Sequence, residues 1–210
     1  MYNFDYVNSD EVRSVREELS EIIYEVQSLV QNSLTFQAIP VGSSSINMVT
    51  CDKNSNIGFD FDFDLEINDN KGVLEPKAIR HLIRNALNQA APKYGYKYCE
   101  DSTRVLTIKK VDTYTCKIMH SCDFALIRNC DNGKQQYIRF NKKNNNYTWE
   151  FQSKGFKNYD TKIQWLKANN YWEQLRNYYL HKKNINNNPH KHSRSILVES
   201  VNEMYQRLNA

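Results

Sequence analysis

Residues 59–67 read "FDFDFDLEI", three aspartates alternating with apolar residues. On a β-strand successive side chains point to opposite faces, so Asp60, Asp62 and Asp64 share one side and the phenylalanines take the other. Carboxylates gathered on one face repel unless a cation lies among them. Mg²⁺, or Mn²⁺ in its place, is a hard ion that takes oxygen ligands and binds phosphates at the same time. Two such ions would activate an attacking hydroxyl and stabilise the oxygen that leaves with pyrophosphate.

Two further features fit a phosphate-handling site. In "VGSSS" (41–45), Gly42 lets backbone N–H groups approach an anion and Ser43 adds a hydroxyl donor. A helix begun by residues 43–48 would bring its positive N-terminal end to the same place. In "MHSCDFALI" (119–127), Asp123 stands between apolar residues, where a core strand seldom carries a charge. Burying it unpaired would be costly, and shared metal ions would remove that cost. The pool of metal ligands is therefore Asp60, Asp62, Asp64 and Asp123, with the pair on the first strand either Asp60/Asp62 or Asp62/Asp64. Plainer readings stand beside these: a charged edge strand that blocks aggregation, and an Asp123 paired with Arg104, Lys109 or Lys117. His120 and Cys122 fall on the face opposite Asp123, which makes His120 a packing residue rather than a base.

The elements that must position these residues follow from periodicity. Val12, Val15, Leu19, Ile22, Val26 and Leu29 form one stripe of a helix over 10–31, with Asn8 and Glu11 as a capping box. Glu75 and Pro76 open a second helix, with Ile79, Leu82, Ile83, Ala86, Leu87 and Ala90 on its apolar face, ending near Gly95. "FQAIPVG", "TRVLTIKKV", "CKIMHSCDFALIR" and "QQYIRF" read as strands, the last two joined by a tight turn at 131–133. After the polar "NKKNNN", helices are expected over 160–182 and 193–208. The order implies an α+β (mixed α/β) class and one domain over 1–210, with a core at about 36–140 and a helical C-terminal part at about 155–210.

In the order Gly-Ser turn, Asp-x-Asp strand, Asp on a neighbouring strand, residues 36–128 resemble the polymerase-beta-like nucleotidyltransferase superfamily. The resemblance implies a mixed β-sheet flanked by helices, two divalent ions, and transfer of a nucleotidyl group from a nucleoside triphosphate (NTP). It matches Gly42 and Ser43 to the triphosphate turn, Asp62 to a metal ligand and Asp123 to the third acid; the catalytic carboxylates expected are Asp60, Asp62 and Asp123, with the pair Asp62/Asp64 still open. The stretch "YTWEFQSKGF", with Trp149 and Ser153, resembles the Trp-x-x-x-Ser segment of cyclic GMP-AMP synthase and its relatives. That likeness implies that Ser153 or Lys154 touches the nucleotide. The acceptor is left open: another nucleotide, which would make the protein a second-messenger synthase, an RNA end, a protein or a small molecule. A low-turnover nucleotide- or RNA-binding module of the same fold is the alternative.

Bulk properties bound the answer. Apolar and charged fractions of 40% and 25% are ordinary for a water-soluble chain, and no apolar run reaches the roughly 18–20 residues that span a bilayer. The expectation is no membrane partner and a cytoplasmic location, with Cys51, Cys99, Cys116, Cys122 and Cys130 reduced. Residues 131–210 hold 14 Lys/Arg against 6 Asp/Glu, while 1–130 hold 14 against 18, so the basic half would suit an anionic partner or be a solvated face.

Overall fold

The computed structural model describes residues 2–69, 73–131, 133–152, 158–188 and 191–209. In chain order its elements are β1 (Phe4–Tyr6), α1 (Ser9–Val30), β2 (Thr35–Val41), β3 (Thr50–Asp52), β4 (Phe59–Asn68), α2 (Pro76–Ala90), β5 (Glu100–Asp101), β6 (Val105–Asp112), β7 (Lys117–Asn129), β8 (Gln135–Asn141), β9 (Asn146–Phe151), α3 (Tyr159–Ala168), α4 (Trp172–Ile185) and α5 (Ser193–Leu208). The class is α+β, as the order of periodicities implies.

Two compact units are formed, one from residues 7–49 and 56–152 and the other from 1–6, 50–55 and 153–210. The first holds a seven-stranded sheet in the order β2-β4-β7-β6-β5, with β8 on the end of β7 and β9 on β8. β4 and β7 run parallel and the other pairs antiparallel. A parallel pair needs a crossover, and α2, β5 and β6 lie in the segment that makes it.

β4 alternates as its sequence demands. Phe59, Phe61, Phe63 and Leu65 are buried, while Asp60 is exposed and Asp62 and Asp64 are half-buried. The strand lies between β2 and β7, so the edge-strand reading does not hold. Gly58, just before it, passes so close to β7 that a Cβ there would lie 1.8 Å from the Met119 carbonyl oxygen. α1 and α2 pack on each other, α1 also on β2 and α2 on β9, burying Leu19, Ile22, Ile83 and Leu87. Asn8 caps α1 by accepting from the Asp10 N–H at 2.8 Å.

Arg80 of α2 is wholly buried and ties the far side of the sheet together. Its Nε donates to Asp101 Oδ1 at 2.8 Å, and its terminal nitrogens donate to the carbonyls of Ser102 (2.6 Å), Val105 (2.9 Å) and Ile138 (3.0 Å). Asp101 also accepts from the Tyr147 hydroxyl at 3.1 Å.

In the second unit β1 and β3 pair antiparallel beside α3, α4 and α5. Asn184 holds Phe4 at both ends, accepting its N–H at 2.6 Å and donating to its carbonyl at 3.0 Å. The single helix expected over 160–182 is instead two. Asn170 takes a left-handed φ of 63°, and the Tyr171 N–H returns to the Leu166 carbonyl at 2.9 Å, the bonding of a helix C-terminus. The polar "NKKNNN" segment is the tip of the β8–β9 hairpin, with Asn145 at φ 49°.

Replacing Arg80 with Met leaves Asp101 buried without its cation. The unfolding free energy is expected to fall by about 3–5 kcal/mol, read as a lower urea midpoint with an unchanged m-value.

Candidate active site

The parallel register of β4 and β7 sets Asp62 directly opposite Asp123 and Asp60 opposite Ser121. Paired residues of neighbouring strands project to the same face, so Asp60, Asp62, Asp64, Ser121 and Asp123 share one side of the sheet. Across β7, the antiparallel β6 brings Thr107 opposite Asp123 and Lys109 opposite Ser121.

The Gly-Ser turn reaches the same place from β2, whose last residue, Val41, pairs with Asp62. Gly42 follows at φ 69°, and a Cβ there would lie 2.7 Å from Asp62 Oδ2. Glycine takes this positive φ without strain, and any side chain here would also have to displace the Asp62 carboxylate. The Ser44 hydroxyl donates to the Val41 carbonyl at 3.0 Å and the Ser45 hydroxyl to the Gly42 carbonyl at 2.8 Å, closing the turn. Among the described residues the Ser43 hydroxyl makes no such bond. Arg16 of α1 braces the turn from outside, donating to the Ser44 carbonyl at 2.8 Å and to Asn47 Oδ1 at 3.1 Å. The helix considered for 43–48 is only a 3-10 turn over Ser44–Ile46, stopped by Asn47 at φ 56°. So short a turn adds little dipole, and donors at this point come from the turn itself.

Because Val41 meets Asp62 and Ile39 meets Asp64, Asp64 is one strand repeat, about 6.8 Å, further from the turn. Asp60 lies on the turn's side of Asp62. It accepts a short hydrogen bond from the Ser121 hydroxyl, and Asp123 Oδ1 accepts from Thr107 Oγ1 at 2.5 Å. Neither hydroxyl partner stands out in the sequence, since Thr and Ser are ordinary strand residues and only the register makes them neighbours.

Burial raises the Asp123 carboxyl above its ordinary value. The Thr107 hydrogen bond opposes the rise, the Asp60 charge adds to it, and Lys109 and Glu100 then act in opposite senses. Of the three cations considered for Asp123, Lys109 is bound to both oxygens of Glu100, at 2.8 and 2.7 Å, and the Arg104 guanidinium lies 4.3 Å over the Tyr137 ring. Among the described residues neither Asp60 nor Asp123 forms an ion pair with Lys or Arg.

A divalent ion suits this donor set, which is all hard oxygen and gathers like charges on one face of the sheet. Among the described residues no three His, Cys, Asp or Glu side chains form a ready-made cage. That is the usual situation of Mg²⁺, which is held by one or two carboxylates and completed by substrate phosphates and water.

His120 lies on the opposite face, 4% exposed, bonded at 2.8 Å to the Tyr96 hydroxyl and packed on Phe59; burial lowers its pKa to about 4. It is a neutral packing residue. Burial pushes the Cys99 thiol up to about 12 and Cys122 well above its ordinary value, so neither is an activated nucleophile. Trp149 stands on β9 with the Arg128 guanidinium 4.3 Å over its ring. Ser153 and Lys154 lie outside the described residues.

No protein-family model matches the sequence, and no curated protein matches it in sequence. Solved structures do match in fold. The DncV cyclic AMP-GMP synthase of Vibrio cholerae, in complex with the linear intermediate 5′-pppA(3′,5′)pG, superposes with a TM-score of 0.67 at 10% identity, covering 94% of this chain and 68% of that one. The same enzyme with nonhydrolyzable GTP gives 0.59 at 12% identity, covering 85% and 61%. The CD-NTase CdnG of Bradyrhizobium diazoefficiens, in complex with GTP, gives 0.50 at 13% identity, covering 84% and 44%. The chain shares the fold of these solved structures. It spans 44% to 68% of the length of these structures. No helix among the described residues is long and apolar enough to cross a membrane.

The raised Asp123 pKa has a sign that can be checked without metal. The folded state holds the proton more tightly than the unfolded state, so this carboxyl lowers stability as pH rises from the ordinary carboxylate value through the raised one. In a chelator, urea midpoints between about pH 4 and pH 8 are expected to fall less for Asp123→Asn than for the unaltered chain. Equal slopes would show that the charge carries no such cost.

Proposed function

We propose that this protein is a divalent-metal-dependent nucleotidyltransferase that joins nucleotides, using Asp60, Asp62 and Asp123 to hold the metal and Gly42 and Ser43 to bind the triphosphate. The observation that carries the reading is the in-register Asp62–Asp123 pair with the Gly42 turn against Asp62, on a fold shared with synthases solved with nucleotides bound. Asp60 is preferred to Asp64 as the second carboxylate of β4 because it lies toward the turn.

In this reading Gly42 and its neighbours offer backbone N–H groups, and Ser43 its hydroxyl, to the β- and γ-phosphates. Asp60, Asp62 and Asp123 would hold the cation. Mg²⁺ or Mn²⁺, when bound there, neutralises phosphate charge and lowers the pKa of the attacking hydroxyl, so no separate protein base is required. The acceptor hydroxyl gives up its proton to solvent as its oxygen forms a bond to the α-phosphorus, the bond from that phosphorus to the oxygen of the β-phosphate breaks, and pyrophosphate departs. The phenylalanines behind β4 take no part beyond packing.

A nucleotide is favoured over an RNA end as acceptor. Several C-terminal cations that would suit RNA are engaged within their own unit, Lys182 with Glu199 and Glu203, Lys191 with Glu199, and Lys162 with Asn202. A solvated, internally paired face is the simpler account of that basic half.

The test is incubation with each labelled ribonucleoside triphosphate and Mg²⁺ or Mn²⁺, with and without RNA, followed for pyrophosphate and new labelled products. A product built from nucleotides alone is expected. Asp62→Asn is expected to reduce turnover about a hundredfold or more, the effect of losing several kcal/mol of transition-state stabilisation. Label transferred to RNA or protein would reassign the acceptor. Metal-independent nucleotide binding with no pyrophosphate would leave a binding module.

A further inference from the structure

We infer that Thr107 and Ser121 are positioning residues that orient the two outer carboxylates of the site, Asp123 and Asp60, for a divalent cation. The inference rests on the metal-binding reading given above. Its independent basis is a repeated arrangement: each carboxylate accepts one hydrogen bond from a strand hydroxyl, Asp123 from Thr107 at 2.5 Å and Asp60 from Ser121. Both bonds fall on Oδ1, and neither Oδ2 accepts a hydrogen bond among the described residues. One oxygen of each acid is therefore fixed and the other is left for a cation.

A hydroxyl suits this task better than an ammonium. Lys or Arg at either position would neutralise the carboxylate and compete with the metal, whereas an O–H···O⁻ bond restrains its rotation without adding charge. The one lysine that the register brings opposite Ser121, Lys109, is drawn to Glu100 instead. Restraint is needed because the carboxylates repel one another and would otherwise swing apart toward water when no cation is bound. Ser121 is 9% exposed and Thr107 half-buried, so both donor hydroxyls are shielded from water even though Asp60 is exposed.

Strand propensity alone would also place Thr at position 107, and the two explanations separate experimentally. Thr107→Val keeps the β-branched shape and loses the hydroxyl, Thr107→Ser keeps the hydroxyl, and Ser121→Ala removes the second bond at small cost in volume. Calorimetry of the full chain with non-hydrolysable ATP and GTP analogues is to be run in a chelator and across a Mg²⁺ and a Mn²⁺ series, with circular dichroism and urea midpoints as the check on folding. Thr107→Val and Ser121→Ala are expected to need about 10- to 100-fold more metal for half-maximal analogue binding, the usual effect of removing an outer partner of a metal ligand. Thr107→Ser is expected to restore the unaltered requirement. Folded Thr107→Val and Ser121→Ala proteins with an unchanged metal requirement would overturn the inference while leaving the site assignment intact. If analogue binding by the unaltered chain ignores both metals, the metal-site reading fails and the inference fails with it.

Discussion

Carboxylates on one face of an inner strand are tolerable only because the other face is worth more. Phe59, Phe61, Phe63 and Leu65 are all buried behind β4, each contributing about 1.5–3 kcal/mol by leaving water. Two like charges about 7 Å apart repel by roughly 0.6 kcal/mol in water and about 2.4 kcal/mol at an effective dielectric of 20. The apolar row therefore wins, and it fixes which way the aspartates point. A slip of one residue would exchange the faces, burying three charges and exposing the phenylalanines. Pairing on both sides and the close passage of Gly58 along β7 oppose that slip. The placement of Asp62 beside Asp123 is a consequence of this register.

The surroundings of the acidic face are built to hold shape rather than to supply charge. Arg16 holds the Gly-Ser turn by its backbone, and Arg80 spends its donors on Asp101 and the carbonyls around β5, β6 and β8. Glu100 engages Lys109. Among the described residues Asp60 and Asp123 meet hydroxyls rather than cations. In the proposed reading a divalent ion and a polyphosphate would bind such a site together, because each removes the charge that makes the other unfavourable.

The helical unit follows a different economy. Several of its aromatic and basic residues stack and pair within the unit. Arg176 lies 4.0 Å from the Tyr6 ring centre and Lys167 4.5 Å from that of Trp172, while Lys182 bridges two glutamates. A cation over an aromatic ring beside a partnered neighbour is a packing device as readily as a phosphate contact.

The sequence by itself determined the class, most of the strands, and the face on which each aspartate of β4 stands, because periods of two and of about 3.6 are local properties of the chain. It also carried the Gly-Ser turn and the isolated Asp123 as separate signals. What it left open is what depends on residues far apart in the chain. Tertiary structure decided that β4 is an inner strand, that Asp60 rather than Asp64 lies toward the turn, and that Thr107 and Ser121 are the partners of Asp123 and Asp60. It decided too that β1 and β3 pair with each other, and that the expected helix over 160–182 breaks at Asn170. The break had a faint local signal in two adjacent asparagines, whereas β1 and β3 are three-residue strands, too short for any period to show. A strand register joins positions about sixty residues apart through backbone hydrogen bonds, and no spacing along one chain encodes which rung meets which.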